Sequence, residues 1–495
     1  MKKSIGLVIV VAVVLLLLPG WLGGMAERQL REQLALADPY EGLVSIAIAN
    51  YQRGWFRSEV EYEIGLAPEY VEQLQELVEG TDAAAAGSAA GLQGDEFSRR
   101  LHLRSHVGHG PIGFLDGPFF GMFKALTSAG EENPEINEFV QTSGMPYLFE
   151  AETITSFFGT TQGAISVPPI NADGSNIGAP KSTGAMRFSG LDVKGEFHFG
   201  NRAGKMTGGF ELLEIVGEEA EMVLEGVRLQ ADSRAVSKYM WVGPADFDIA
   251  RFDVRSKGDA PSIVAEALSL QVRSSENSDG ETLNIAVTYG AKHLQLPESA
   301  VVDAQMGMAL ENVSVAALDE YYAMTQAVTS MNDEAMSQLG TQAPAMLYQF
   351  AQRSPTLALT PLRFTLDGEP FDGSLELTLD GNRLPGADAF SVMDVGMWAQ
   401  VVSAQGEASV SKALAESMAV SATEAQMRSA FGDDPNIDAT QLADMARIQA
   451  PMMLNTLVQQ GLIKEAQKTY SAQLRYGDGE LLVNGQSMPI GALLQ

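Results

Sequence analysis

The chain lacks cysteine altogether and is poor in basic residues. Its 495 residues carry 63 acidic side chains against 32 Lys and Arg, a formal net charge of −31. Without thiols the protein has no disulfide, no thiolate nucleophile and no cysteine-ligated metal, and it cannot be acylated at an N-terminal cysteine. The negative field repels the phosphates of nucleic acid, so no nucleic-acid partner is expected.

Catalytic and metal-binding motifs are also missing. The sequence has no phosphate-binding glycine loop, no HExxH zinc motif and no GxSxG nucleophile elbow. Three of its five histidines fall in "HLRSHVGH", where His102 and His106 share one strand face and His109 points to the other. Metal ligands must converge on one point, and this pattern does not. We therefore expect a non-enzymatic protein with no metal and no cofactor.

A long apolar run stands at the N-terminus. Lys2 and Lys3 precede an uncharged stretch from Ile5 to Leu22, which is long enough to cross a hydrocarbon core. Lysines before such a run hold that end in the cytoplasm, so the rest of the chain would be exported. The run predicts a single-pass inner-membrane anchor with the bulk of the chain in the periplasm. A cleaved signal peptide is the alternative.

Period-two alternation dominates the chain beyond this run. In residues 43–66 (LVSIAIANYQRGWFRSEVEYEIGL), apolar and polar residues alternate on both sides of Gly54, which predicts a β-hairpin. Its corner is "YQRGWFRSE", where Gly54 supplies freedom in φ. We expect structural roles for Tyr51, Arg53 and Phe56 beside that glycine, with the arginines pairing strand acids.

The same alternation recurs along most of the chain and is interrupted by four segments with helical spacing, at 117–130, 314–340, 342–355 and 438–470. Several of these are rich in methionine, which suits either ordinary core packing or an adaptable apolar lining. The predicted organisation is a membrane anchor at 1–26, a hairpin and helix at 27–80, a flexible Ala/Gly linker at 81–97, an antiparallel meander at 98–315 and a helix-plus-strand region at 316–495.

Successive strands joined by short polar turns imply antiparallel pairing. The predicted fold class is α+β: an N-terminal transmembrane helix, then a large, mostly antiparallel, elongated and curved sheet with several packing helices. A sheet with one apolar face must cover that face with itself, with helices or with a ligand.

Three motifs in order along the chain resemble those of one family. They are "YQRGWFRSE", "HVGHGPIGF" and the closing "YGDGELLVNGQSMPI", and together they are similar to the landmarks of the YdgA-like family of bacterial envelope proteins. The resemblance implies an inner-membrane-anchored, periplasm-facing protein of a Gram-negative bacterium, and it supplies no catalytic residues. In the second motif, His109, Gly110 and Pro111 are expected to end a strand, with the imidazole bonding a backbone carbonyl. In the third, Asn484 and Gly485 fit a turn with positive φ.

Two function classes are compatible with these features. The protein presents an apolar β-lined groove to lipid or to an apolar segment of a partner, or it is a scaffold that binds other envelope proteins through a fully packed sheet. An enzyme acting on cell wall or glycan is a more distant alternative, because paired carboxylates can occur in any acidic chain. The extent of uncovered apolar surface separates the first two.

Overall fold

A computed structural model describes residues 22, 24–28, 31, 44–66, 100–130, 133–173, 184–198, 200, 202–217, 220–257, 262–297, 299–327, 333–431 and 439–488. The predicted linker at 81–97, the predicted helix before it and most of the N-terminal apolar run lie outside these residues.

The described strands are β1 (Val44–Arg53), β2 (Arg57–Leu66), β3 (Leu101–His109), β4 (Ile112–Phe114), β5 (Pro118–Phe120), β6 (Phe123–Ala129), β7 (Glu150–Thr155), β8 (Thr160–Val167), β9 (Ile170–Asp173), β10 (Ala185–Phe188), β11 (Leu191–His198), β12 (Ala203–Val216), β13 (Ala220–Ala235), β14 (Trp241–Val242), β15 (Pro244–Ser256), β16 (Ile263–Glu276), β17 (Thr282–Gln295), β18 (Ala300–Ser314), β19 (Thr356–Leu366), β20 (Glu369–Leu379), β21 (Val402–Ser411), β22 (Lys464–Glu465), β23 (Thr469–Gly477), β24 (Glu480–Val483) and β25 (Gln486–Met488).

The described helices are α1 (Pro134–Ser143), α2 (Val315–Ala327), α3 (Asp333–Gln352), α4 (Val395–Val401), α5 (Lys412–Phe431) and α6 (Ala439–Gln459), with short 3-10 turns at Gly381–Arg383 and Ala387–Ala389. Residues 22 and 24–28 are also helical. The chain divides into two compact units. Unit 1 comprises Met1–Ala245 and Asp319–Thr341, and unit 2 comprises Asp246–Leu318 and Gln342–Gln495.

Unit 1 is built on an antiparallel meander. Its strands pair in the order β1-β2-β3-β6-β7-β8-β11-β12-β13, and β10 joins β9 to the far half of β12. The alternation noted in the sequence places Val60 and Val107 in the core, where they pack with Leu22 and Ala26 of the N-terminal helical residues. Tyr51, in the corner of the first hairpin, packs against this core.

Unit 2 contains a second antiparallel meander in the order β16-β17-β18-β19-β20-β21-β23-β24-β25, with β22 beside β23. Helices α5 and α6 pack against each other and onto this sheet. Small residues such as Ala415 and Ala450 let the helices approach closely, and Leu454 and Tyr470 complete the core between helices and sheet.

The mostly antiparallel character of the fold is as predicted, whereas its transmembrane component is not. Within the described part of the chain, no helix combines the length and the apolar character needed to cross a membrane. The predicted fold class with an N-terminal transmembrane helix, and the predicted single-pass inner-membrane and periplasmic location, are therefore corrected.

A second correction concerns residues 117–130, which helical spacing assigned to a helix. They form β5 and β6 instead, because β6 pairs with β3 on one side and β7 on the other. Pairing with strands distant in sequence overrides the local pattern here.

Candidate functional site

Two of the three sequence motifs meet at one end of the unit 1 sheet. His109 ends β3, and its imidazole lies between the first hairpin's corner and β2: Nε2 is 3.0 Å from Ser58 Oγ, and Nδ1 is 3.2 Å from the carbonyl oxygen of Trp55. A carbonyl can only accept, so Nδ1 carries the proton and Nε2 accepts from the serine. The backbone N–H of His109 also donates to the carbonyl of Phe56, at 2.9 Å.

Tyrosines extend this buried network. The hydroxyl of Tyr51 hydrogen-bonds Ser58, and that of Tyr62 hydrogen-bonds Ser105. Burial raises the pKa of both tyrosines, and the serine hydrogen bonds offset part of that rise. Both phenols therefore stay neutral, and the network acts as a fixed, uncharged support for the corner.

At Gly54 in the corner and at Gly110 after β3, another part of the backbone approaches so closely that a side chain would clash with it. A Cβ on Gly54 would lie 2.2 Å from the carbonyl oxygen of Arg57, and one on Gly110 would lie 1.6 Å from that of Gly121. Gly54 does not have a positive φ. A glycine is needed here because a side chain would clash with the backbone of Arg57, and not for the freedom in φ that the sequence predicted. Arg57 donates to the carbonyl of Phe114 at 2.9 Å, rather than to a strand acid as predicted, and Arg53 is exposed.

The third motif belongs to unit 2 and includes the turn between β24 and β25. Asn484 has φ 54° and Gly485 has φ 84°. The Asn484 side chain accepts from the backbone N–H of Gln473 at 2.9 Å and donates to the carbonyls of Gly461 and Leu462. It therefore holds the final hairpin to the segment that follows α6.

A separate feature of unit 2 is a broad apolar sheet face. Residues directly opposite each other on neighbouring strands share a face, and one such row consists of Leu270, Tyr289, Met306 and Leu362. The next row consists of Val272, Val287, Met308, Leu359 and Leu375. Tyr289, Met306 and Met308 are each more than 40 % exposed, an unusual exposure for so many adjoining apolar side chains.

This face is hollowed into a trough of about 480 Å³. Its wall is almost entirely apolar and includes Phe247, Leu270, Met306, Leu362 and Phe364. The volume lies within the range of about 300–1,000 Å³ that small-molecule sites usually have.

Irregularities on neighbouring strands bend the sheet at this trough. Ala267 on β16 and Asp303 on β18 have positive φ, near 50°. The pairing of β18 with β19 shifts register twice, between Val302 and Gln305 and between Met306 and Met308. Bulges of this kind increase local twist and bend a strand, so the trough follows from a line of bulges across the sheet.

Among the residues that the structure describes, helices cover one end of the same face. Phe364, which lines the trough, lies opposite Phe371, and the row continues through Val410 to Tyr470. Tyr470 is buried beneath α5 and α6. The helical hairpin formed by α5 and α6 therefore packs on the apolar face that the trough occupies. At the trough itself, Tyr289 and Met306 are each 45 % exposed.

No group of three or more potential metal-ligating side chains occurs in the portion of the chain that the structure describes. His109, the one buried histidine of "HLRSHVGH", is engaged by serine and backbone.

Comparison with known proteins adds a family. A family model described as a bacterial protein of unknown function, DUF945, matches residues 1–491. The chain belongs to the DUF945 family. No curated protein and no solved structure matches it significantly.

For this DUF945 member, sequence reasoning identified the residues of the corner and the final turn but missed the trough. The residues that line it are spread over β15 to β19, and the register of β16 to β19 brings most of them together. The sequence offers only a weak signal for the trough. The strands that line it show apolar alternation, but most other strands of the chain show it too.

Proposed function

We propose that this protein is a non-enzymatic carrier that holds the acyl chain of a lipid in the trough of unit 2. The observation that carries the proposal is the open apolar face, on which Tyr289, Met306 and Met308 are each more than 40 % exposed. A neighbouring row of the same face, from Phe364 to Tyr470, continues into a packed core. Within the DUF945 family we further propose that the chain is YdgA-like, on the strength of its three motifs.

The chemistry of the wall supports an acyl chain over a polar ligand. A polar metabolite would need hydrogen-bond donors and acceptors that converge on it. The side chains of Leu270, Met306, Leu362 and Phe364, which line the trough, offer no such groups. Each methylene that such a wall removes from water contributes about 0.8 kcal/mol. Methionines on the wall adapt to a flexible chain, because their side chains are unbranched and polarizable.

The sheet supplies a matched pair of variants for a test. Leu270 and Gln271 are neighbours on β16 whose side chains point to opposite faces. Leu270 lines the trough, whereas Gln271 is exposed on the other face. Leu270→Glu and Gln271→Glu therefore add the same charge at nearly the same place, one inside the trough and one outside it.

The experiment titrates a fluorescent fatty acid into the full chain without detergent, and extracts co-purifying lipid for mass spectrometry. We expect the wild type and Gln271→Glu to bind equally, and Leu270→Glu to bind at least tenfold more weakly, because a carboxylate in an apolar wall must be desolvated. Circular dichroism confirms that both variants fold.

If Leu270→Glu and Gln271→Glu bind the fatty acid equally, the trough is not the binding site. A wild type that carries no lipid and takes up none would overturn the carrier function and favour the scaffold alternative, for which crosslinking to partner proteins is then the appropriate experiment.

A further inference from the structure

Unit 1 carries a second apolar surface, at the end of its sheet where the first two motifs meet. Six exposed aromatic side chains define it, and we call it the aromatic edge: Trp55, Phe56, Phe114, Phe120, Phe157 and Phe158. Phe158 is 96 % exposed and Phe120 75 %, and the other four are between 38 % and 64 % exposed.

Two hydrogen bonds and one ring contact connect the three turns that carry these residues. The hairpin corner bonds the β4–β5 segment through Arg57 and the carbonyl of Phe114. The next connection is from the N–H of Met122 to the carbonyl of Thr155, at 2.7 Å. The rings of Phe120 and Phe157 then meet edge to face, with centroids 5.6 Å apart.

The backbone beneath these rings is closely packed. His109 fastens the corner to β3, and a Cβ on Gly113 would lie 2.3 Å from the ring of Phe119. The aromatic side chains thus project from a rigid support into solvent. At roughly 200 Å² for a fully exposed ring, the six side chains together present on the order of 700 Å² of apolar surface to solvent.

Charge distinguishes this edge from the rest of the molecule. Residues 52–57, 109–123 and 155–160 contain two arginines, Arg53 and Arg57, and a single acid, Asp116, in a chain with a net charge of −31. A cationic, aromatic edge in an otherwise acidic protein matches the interface of a lipid bilayer. Aromatic rings settle there at headgroup level, and arginines meet phosphates. The acidic surface elsewhere on the protein is repelled by anionic headgroups, which favours contact through this edge.

We propose that the aromatic edge docks on the surface of a lipid bilayer, with its rings at the level of the headgroups. Exposed rings that project separately suit a fluid surface, which can close around each of them. This surface contact is independent of the trough and involves no helix that crosses the bilayer.

The absence of cysteine makes a local test possible. A single cysteine introduced by Phe158→Cys in the full chain is labelled with a fluorophore whose emission shifts to the blue in apolar surroundings. The matched control is Met393→Cys, a site in unit 2 whose native side chain is 89 % exposed. Vesicles are phosphatidylcholine with a minor fraction of phosphatidylglycerol, with or without nitroxide-labelled lipid.

We expect vesicles to shift the label at position 158 to the blue and nitroxide lipid to quench it at least twofold, with neither effect at position 393. Adding Phe114→Ser and Phe120→Ser to the Phe158→Cys chain should weaken its partition at least tenfold. Both side chains are solvent-exposed, so folding is retained.

No shift at position 158 would overturn the proposal, as would equal quenching at both positions or an unchanged partition of the serine variant. A blue shift that depends on protein concentration without vesicles would identify a contact between copies of this chain instead. Uptake of fatty acid by the trough should be the same in the labelled and unlabelled proteins, so failure here is distinguishable from failure of the carrier function.

Discussion

Ser58 Oγ lies 3.0 Å from Nε2 of His109, although 51 residues separate them in sequence. Both side chains are almost completely buried, and the other ring nitrogen bonds the carbonyl of Trp55. One imidazole thus joins the end of β3, the start of β2 and the hairpin corner between β1 and β2. The aromatic edge is held in place by this junction.

Removal of the imidazole should therefore cost more than removal of the hydroxyl. We expect His109→Ala to lower the free energy of unfolding by about 3 kcal/mol, since it leaves a cavity and unpaired buried groups. Ser58→Ala should cost about 1–2 kcal/mol, because the imidazole retains its bond to Trp55. Urea denaturation of both variants measures the difference. A smaller loss for His109→Ala than for Ser58→Ala would contradict this account.

Two motif glycines should respond differently to alanine. Gly110→Ala places a Cβ 1.6 Å from the carbonyl oxygen of Gly121, so the backbone must move and we expect a loss of about 4 kcal/mol or more. At Gly485, φ is 84° and no atom lies within 4 Å of the place that a Cβ would occupy. Gly485→Ala should thus cost only the left-handed backbone penalty, about 1–2 kcal/mol. Thermal unfolding ranks the two variants, and equal losses would show that space is not the constraint at Gly110.

The antiparallel sheets could be predicted from sequence because strand alternation is a local signal. The hairpin around Gly54 is an example: Val60 and Tyr62 alternate with acids, and β1 and β2 pair along their whole length. The strand β6 within residues 117–130 could not be predicted from the sequence, because its apolar spacing fits a helix and only pairing with β3 and β7 makes it a strand.

Helix α5 could not be predicted because its buried face is formed by alanines such as Ala415 and Ala419, which differ little in hydrophobicity from the exposed face.

The exposed methionines of α6 show a similar limit. Ordinary core packing and an apolar lining are the two interpretations of the Met-rich helices, and Met324 is buried. Met445, Ile448 and Met452 lie on one side of α6 and are exposed, whereas Ala446, Ala450 and Leu454 on the other side are buried. Periodicity identifies an apolar stripe but not whether anything covers it.

The bend that forms the trough could not be predicted from the sequence, because non-glycine residues occupy its positive-φ positions.

A third prediction concerns the strain at one of these positions. Ala267 has φ 50° and an exposed side chain, so Ala267→Gly should relieve a penalty of about 1–2 kcal/mol and stabilise the protein by about 0.5–1 kcal/mol after the entropic cost of glycine. Ala265, two residues earlier, is buried, and Ala265→Gly should destabilise by about 1 kcal/mol. Urea denaturation measures both, and the same sign for the two variants would contradict the assignment of strain to Ala267.

A last prediction concerns pH and the strand β15, on which Arg251, Asp253 and Arg255 share one face. Asp253 is fully buried, and its Oδ2 accepts from Arg251 at 2.8 Å and from Arg255 at 2.6 Å. Burial alone would raise the pKa of this carboxyl, but the two guanidinium groups outweigh burial and lower it. Since the folded protein holds the carboxylate more firmly than the unfolded chain does, the stabilisation is present above the ordinary aspartate pKa of about 3.9 and is lost as the pH falls through the lower, folded-state value.

Asp253→Asn removes that charge, and at pH 7 it should lower the free energy of unfolding by about 1–3 kcal/mol. Below about pH 4 the carboxyl of Asp253 is protonated first in the unfolded wild type, whereas the folded protein resists protonation, so the difference between the two proteins should shrink as the pH falls toward the lower, folded-state pKa. Asp248→Asn, on the same strand with an exposed side chain, removes an equal charge and serves as the control. Urea denaturation of the three proteins at neutral and acid pH makes the comparison. A difference for Asp253→Asn that stays constant across this range would mean that packing, rather than the paired charge, is what Asp253 contributes.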